Sequence, residues 1–95
     1  MPQIVYTPEF ISDFERIYIF LAEKNPAAAQ RLAKLMEEKL GLLATIPRAF
    51  PFFGDYRIYL LEFGASGYAL LYDYNDTLDQ ITILRIKHQK EAGFI

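Results

Sequence analysis

Proton transfer near neutral pH is most simply the work of an imidazole, and the chain has one histidine, His88. It stands in the run Arg85-Ile86-Lys87-His88-Gln89-Lys90-Glu91, the densest cluster of interacting polar side chains in the sequence. Two kinds of chemistry suit such a run. With Arg57 and Arg85 holding a phosphate and His88 as acid/base, it would cut a phosphodiester. As a surface of donors and acceptors, Arg85, Lys87, His88, Gln89, Lys90 and Glu91 would bind a macromolecular target. Strand alternation places Arg85 and Lys87 on one face and Ile86 with His88 on the other, so they converge only if the strand ends or bulges near Lys87. The plainer role of His88 is a strand-end hydrogen bond to backbone or to Glu91. For Arg57 and Arg85 the plainer role is an ion pair with Glu62, Asp73 or Asp55.

Other chemistry is thinner. The chain has no cysteine, which removes disulfides, thiolate nucleophiles and cysteine zinc sites, and one histidine makes a closed protein-only zinc site improbable. There is no phosphate-binding glycine loop, nucleophile elbow or paired-histidine motif, so no metal and no cofactor is expected. Tyr59, Tyr68, Tyr72 and Tyr74 alternate along β-rich sequence and read as packing. Glu37-Glu38 falls mid-helix and Asp73 with Asp76 spans a turn, which points to solvated surface and turn capping.

The elements that must position these groups are legible. Gln3-Ile4-Val5-Tyr6 reads as a short strand, and Thr7-Pro8-Glu9 supplies an N-cap, a proline at the first helical position and an acid in the first turn. Phe10, Phe14, Ile17, Tyr18 and Leu21 then line one helical face, with Asp13, Glu15 and Arg16 placed elsewhere. Asn25-Pro26 repeats the cap-then-proline signal. A second helix therefore runs from about Ala27 to about Ile46, antiparallel to the first, with Leu32, Leu35, Met36, Leu42, Leu43 and Ile46 as its apolar stripe. Gly41 inside it predicts a helix end or a close backbone contact.

Pro47-Arg48-Ala49-Phe50-Pro51-Phe52-Phe53-Gly54 cannot be helical and predicts a loop whose phenylalanines plug the core edge or meet a partner. Three β-rich runs follow, Tyr56–Phe63, Tyr68–Tyr74 and Gln80–His88, separated by spacers that suit tight hairpins. The expected fold is one α+β domain over residues 1–95, β-α-α-β-β-β, with a helical hairpin packed on an antiparallel meander sheet.

Composition bounds the partners. At 95 residues, 53% hydrophobic and 16% aromatic content exceeds what a monomer's core readily hides, so some apolar surface is expected to meet another protein. A net charge of -2 weighs against nucleic acid as the main ligand. No apolar stretch approaches the ~18 residues of a membrane span, and a cytoplasmic location is the expectation.

Several stretches resemble a known family. They are Val5-Tyr6-Thr7-Pro8-Glu9-Phe10, Pro26-Ala27-Ala28-Ala29, Ile46-Pro47-Arg48-Ala49-Phe50-Pro51, the strand around Arg57, Tyr68-Ala69-Leu70-Leu71-Tyr72, and the closing Arg85-Ile86-Lys87-His88-Gln89-Lys90-Glu91-Ala92-Gly93-Phe94. Together they resemble the RelE/ParE superfamily of bacterial toxins from type II toxin-antitoxin systems, and more closely its ParE branch, often labelled plasmid stabilisation proteins. The resemblance implies a toxin silenced by a cognate antitoxin encoded beside it, whose extended and helical C-terminal segment wraps it. Antitoxin contacts are expected on the helical hairpin at Tyr18 and on the loop at Phe50, Phe52 and Phe53.

RelE-like members cut messenger RNA on the ribosome, whereas ParE-like members are known for inhibiting DNA gyrase. The acidic balance, the lone Arg57 in the meander before Leu84, and Phe94 in place of a phenol favour a gyrase inhibitor. The alternatives are a RelE-like endoribonuclease using His88, Arg57 and Arg85, and a non-toxic antitoxin-binding member. DNA would be met only through the antitoxin, and a homodimer or a toxin-antitoxin hetero-oligomer would use the surplus apolar surface.

Overall fold

The computed structural model describes residues 1–90. The elements are β1 (Gln3–Tyr6), α1 (Pro8–Lys24), α2 (Pro26–Thr45), β2 (Phe52–Phe53), β3 (Tyr56–Phe63), β4 (Ser66–Asn75) and β5 (Gln80–His88). They form an α+β fold in which the two helices cover one face of a five-stranded sheet of order β1-β5-β4-β3-β2. The β3-β4-β5 meander is antiparallel, as the strand pattern predicts, and β1 adds to its far side parallel to β5.

Local chemistry explains the starts and stops. The Thr7 hydroxyl accepts the Phe10 N–H at the N-terminus of α1. Asn25 serves both helices: its N–H donates to the Leu21 carbonyl, closing α1, while its side chain accepts the Ala28 N–H and opens α2. A single extended residue therefore makes the hairpin. The β3–β4 turn is the two-residue loop Gly64-Ala65, with Gly64 at φ +62°, a conformation that glycine adopts without steric cost.

The core is assembled from Phe10 and Ile17 of α1, Leu32, Met36, Leu40 and Leu43 of α2, and Leu61, Tyr68, Leu70, Tyr72, Ile81, Ile83 and Ile86 of the sheet. Of the predicted stripes, Phe10, Ile17, Leu32, Met36 and Leu43 are in it, Phe14, Leu21 and Leu35 pack against it, and Tyr18 and Leu42 are outside it. Ile46 is not in it either: it caps α2 and remains exposed.

Three expectations are corrected. Asp13, assigned away from the apolar face of α1, is buried. It lies three residues after Phe10 and four before Ile17, inside their stripe. Phe52 and Phe53 do not plug the core edge: they form the edge strand β2 with exposed rings, and Phe50 alone packs inward, edge-on against Tyr59. Gly41 neither ends α2 nor meets a neighbour, since a Cβ there would touch nothing within 4 Å. Gly41→Ala should therefore raise stability by about 0.5–1 kcal/mol through helix propensity, measured as a higher urea midpoint with unchanged slope.

Candidate functional site

The polar tail of β5 begins at an irregularity. Leu71 pairs with Arg85 but Tyr72 pairs with Ile83, so Leu84 is the extra residue of a β-bulge. Before it, the odd residues Ile81 and Ile83 enter the core; after it, the even residue Ile86 does. The bulge reverses the alternation. Without it Arg85 would point into the helices and Ile86 toward solvent.

The groups freed by the bulge are met by the β1–α1 junction. Thr7 donates its N–H to the Ile83 carbonyl and its hydroxyl to the Leu84 carbonyl. Arg85 lies just past the end of β1, where its guanidinium donates Nε to Asp13 Oδ2 at 2.7 Å and Nη2 to Oδ1 at 3.1 Å. Asp13 Oδ2 also accepts the Ile86 N–H at 3.2 Å. Burial works to raise the Asp13 pKa, but the hydrogen bonds from Arg85 and Ile86, with the charges of Arg85 and Arg16, outweigh it and hold the carboxyl below its ordinary value. The same hydrogen bond raises the pKa of Arg85. Arg85 therefore pairs with Asp13 rather than with Glu62, Asp73 or Asp55.

His88 ends β5. Its Nδ1 accepts the Lys90 backbone N–H at 3.1 Å, so in this arrangement the ring proton sits on Nε2, which points at Ser66 Oγ 3.0 Å away. The ring stands edge-on to Tyr68. A serine beside a histidine invites a nucleophilic reading, but that chemistry needs Nε2 deprotonated toward the hydroxyl, and the Lys90 amide selects the opposite tautomer. The backbone bond matches the plainer role foreseen for His88, while Glu91 lies outside the described residues.

Arg57 is elsewhere. It sits opposite Tyr72 and His88 opposite Tyr68, four residues apart on β4, which is about 13 Å along the sheet and about 10 Å across it. Its guanidinium donates to the carbonyls of Arg48 and Phe50 and lies 4.1 Å from the Phe52 ring centroid. Arg57 has no ion pair with Asp55, Glu62 or Asp73. The Tyr72 hydroxyl donates to the Pro47 carbonyl, and burial pushes its pKa up to about 12. Arg48 pairs with Asp76 at 2.6 Å. The 47–51 segment is thus strapped to the sheet by side chains of β3 and β4, and no signal in its own sequence shows this. His88, Arg57 and Arg85 are not brought together. Lys87 pairs with Ala69, and Gln89 and Lys90 are exposed beyond the strand.

What the molecule offers instead is apolar surface. Ile11, Ile19, Phe20, Phe52, Phe53, Tyr56 and Leu60 are all large and exposed. A groove of about 490 Å³ runs between the C-terminal half of α1 and the ends of β4 and β5, lined by Ile17, Phe20, Leu21 and Tyr68 with Arg16, His88 and Lys90. Tyr18, half-buried, continues the ring ladder Tyr6, Phe10, Phe14 along α1. Among the described residues no group of three or more His, Asp or Glu gathers in a way that would hold a metal ion, and no helix is long and apolar enough to cross a membrane.

The family described as ParE toxin of type II toxin-antitoxin system, parDE, matches residues 4–93. No curated protein matches the chain in sequence. Among solved structures, the chain is similar to a chain of the intact Escherichia coli RelBE toxin-antitoxin complex, with a TM-score of 0.65 at 15% identity over 96% of this chain and 100% of that one. It is also similar to a metal-bound toxin from Helicobacter pylori, with a TM-score of 0.56 at 18% identity, covering 98% and 100%. At these identities the likeness is one of fold.

Removing the Asp13 carboxylate strands a backbone N–H and a guanidinium. Asp13→Ala should cost about 2–4 kcal/mol, the lower part of the range because Arg85 is 40% exposed and returns to water. Since the folded pKa of Asp13 is depressed, its contribution is complete above the unfolded value near 4 and lost as pH falls through the folded value. Denaturation of wild type and Asp13→Asn should differ most at neutral pH and converge as the pH falls below the ordinary carboxylate value of about 4.

Proposed function

The chain belongs to the ParE toxin family of type II toxin-antitoxin systems, and from that premise we propose that it acts in the cytoplasm by binding DNA gyrase and blocking replication. A cognate antitoxin masks the toxin, and DNA is reached only through that antitoxin. The observation that carries this reading is the engagement of the three candidate catalytic groups. Arg85 is committed to Asp13, Arg57 to two loop carbonyls, and His88 Nδ1 to a backbone amide. Cleaving a phosphodiester requires cations and a proton-transfer group converging within hydrogen-bond reach of one phosphate. Separated groups that serve the fold support a toxin that works by binding.

The binding surfaces follow from exposure and charge. Lys87, Gln89 and Lys90, beside His88 and Arg85, form the target-facing end of the sheet, and Glu91, the sixth residue of the expected target surface, lies outside the described residues. The exposed rings of Phe52 and Phe53, held by the strapped 47–51 segment, and Tyr18 on the helical hairpin serve the antitoxin. Rigidly held aromatic side chains suit this work, because little rotamer entropy is lost on docking.

Two measurements test the reading. Purified toxin at micromolar concentration should inhibit gyrase supercoiling and leave ribosome-bound transcripts uncut; cleavage abolished by His88→Ala would instead identify an endoribonuclease. Phe52→Ser with Phe53→Ser should weaken antitoxin binding by about tenfold or more, read by calorimetry, and unchanged affinity would remove β2 from the interface.

A further inference from the structure

β1 stops opposite Ile83, so beyond that point β5 has a strand on one side only. Backbone groups alternate in direction along a strand. The Gln89 N–H donates to the Gly67 carbonyl of β4, which turns the backbone groups of Ile86 and His88 outward, into the space where β1 would have continued. No described strand lies there to receive them. The Ile86 N–H is received instead by Asp13 Oδ2 at 3.2 Å, and the same carboxylate takes the Arg85 guanidinium through two further bonds. Asp13 is the one buried charged side chain among the described residues, and its two oxygens are aimed at consecutive residues of one strand.

The register past the bulge decides which side chains this end of the sheet presents. Lys87 is opposite Ala69 and His88 opposite Tyr68, so His88 lies on the helix side and Lys87 on the other. Were the pairing of Tyr72 with Ile83 to run on without the bulge, Lys87 would come opposite Tyr68 and His88 would change face. That regular register makes every ladder bond, whereas the bulged one persists only where other interactions offset the loss. Burial of Ile86 is one of them, and the three bonds to Asp13 are the other. Farther on, β5 lies close against β4: a Cβ on Gly67 would stand 2.5 Å from the Leu61 carbonyl oxygen and 3.0 Å from Gln89 Nε2. Gln89 therefore crosses a position that only glycine leaves clear. The tail is held at both ends, by a carboxylate from α1 and by a bare glycine in β4.

The geometry points to Asp13 as the positioning residue of the target-binding tail. From α1, and without meeting the target itself, its carboxylate keeps Lys87, His88 and Gln89 in the bulged register in which they are presented. This role rests on the reading above that the tail meets gyrase, and it names the residue through which the helical layer aims that tail. A buried ion pair is a weak source of stability, because both charges leave water, and its best-attested use is to fix one register among alternatives. A strand held in one register also loses less entropy on docking than one that samples two. The antitoxin surface proposed at Phe52 and Phe53 lies on β2, separated from β5 by β4 and β3, and Tyr18 lies more than a turn beyond Asp13 on α1. Loss of Asp13 should therefore separate the two kinds of binding.

The test compares Asp13→Ala with Leu40→Ala, a core truncation on α2 of similar cost to stability, each in the full chain at a temperature where circular dichroism shows it folded. In wild type the Ile86 amide should exchange as slowly as that of Leu70 in β4, although no strand pairs it, because a bonded amide exchanges only on opening. In Asp13→Ala the Ile86 and Gln89 amides should speed up by about tenfold or more relative to Leu70, whereas in Leu40→Ala all three should move together. The toxin concentration that half-inhibits gyrase supercoiling should rise about tenfold for Asp13→Ala and stay within about twofold for Leu40→Ala. The purified protein encoded immediately upstream should bind both variants as it binds wild type. Inhibition by Asp13→Ala equal to that by Leu40→Ala overturns the role of Asp13 and leaves the gyrase reading standing. A wild type that leaves gyrase active removes both. If Asp13→Ala does not fold, Asp13→Leu, which suits the apolar stripe of Phe10 and Ile17 and still removes the acceptor, is judged by the same outcomes. An Ile86 amide that exchanges fast in wild type overturns the role without any variant.

Discussion

A buried carboxylate at the start of the first helix governs how the last strand is read. Asp13 accepts from the Arg85 guanidinium and from the Ile86 amide, immediately after the Leu84 bulge. An extra residue in a strand leaves backbone groups unpaired, and unpaired groups at a helix–sheet boundary are costly unless met. Here Thr7 meets two carbonyls and Asp13 meets the amide, so the β1–α1 junction and β5 hold each other in place. The consequence reaches the whole sheet. Ile81, Ile83 and Ile86 all enter the core only because the alternation reverses between them.

A second constraint acts at the opposite end. The segment after α2 carries too many prolines and exposed rings to order itself, yet Arg57, Tyr72 and Phe50 fix it from the sheet side and from within. Arg57 donates to the Arg48 and Phe50 carbonyls and so ties the segment to β3. Fixing the segment keeps Phe52 and Phe53 on the surface as a short edge strand. The same shortness leaves most of β3 uncovered. An arginine used this way is unavailable for a phosphate, and the arrangement trades one chemistry for a presented surface.

Both constraints push the molecule toward recognition. Arg57 and Arg85 are held at separate places on the sheet, Arg16, Lys24, Arg31, Lys34 and Lys39 lie on the helices, and the exposed apolar side chains are spread over α1, β2 and β3. A small domain with this much aromatic content buries what its two layers can hold and leaves the rest for a partner. The open edge, the apolar grooves and the exposed rings are different outlets of that surplus.

The sequence alone determined the elements, because their signals are local. Thr7-Pro8 and Asn25-Pro26 place the helix starts, alternation places β3 and β5 to the residue, and the closing run from Arg85 marks the family. It also showed that no cysteine chemistry was available. What only the tertiary structure decided are the properties that depend on residues far apart in the chain. The bulge at Leu84 depends on Thr7 and Asp13, more than seventy positions away, so the partner of Arg85 could not be read from its own strand. The burial of Asp13 had a visible trace in its spacing from Phe10 and Ile17, masked by its charge. The straps on the 47–51 segment and the bare edge of β3 have no local trace. Each is set by where another element stops, and that is a property of packing rather than of sequence.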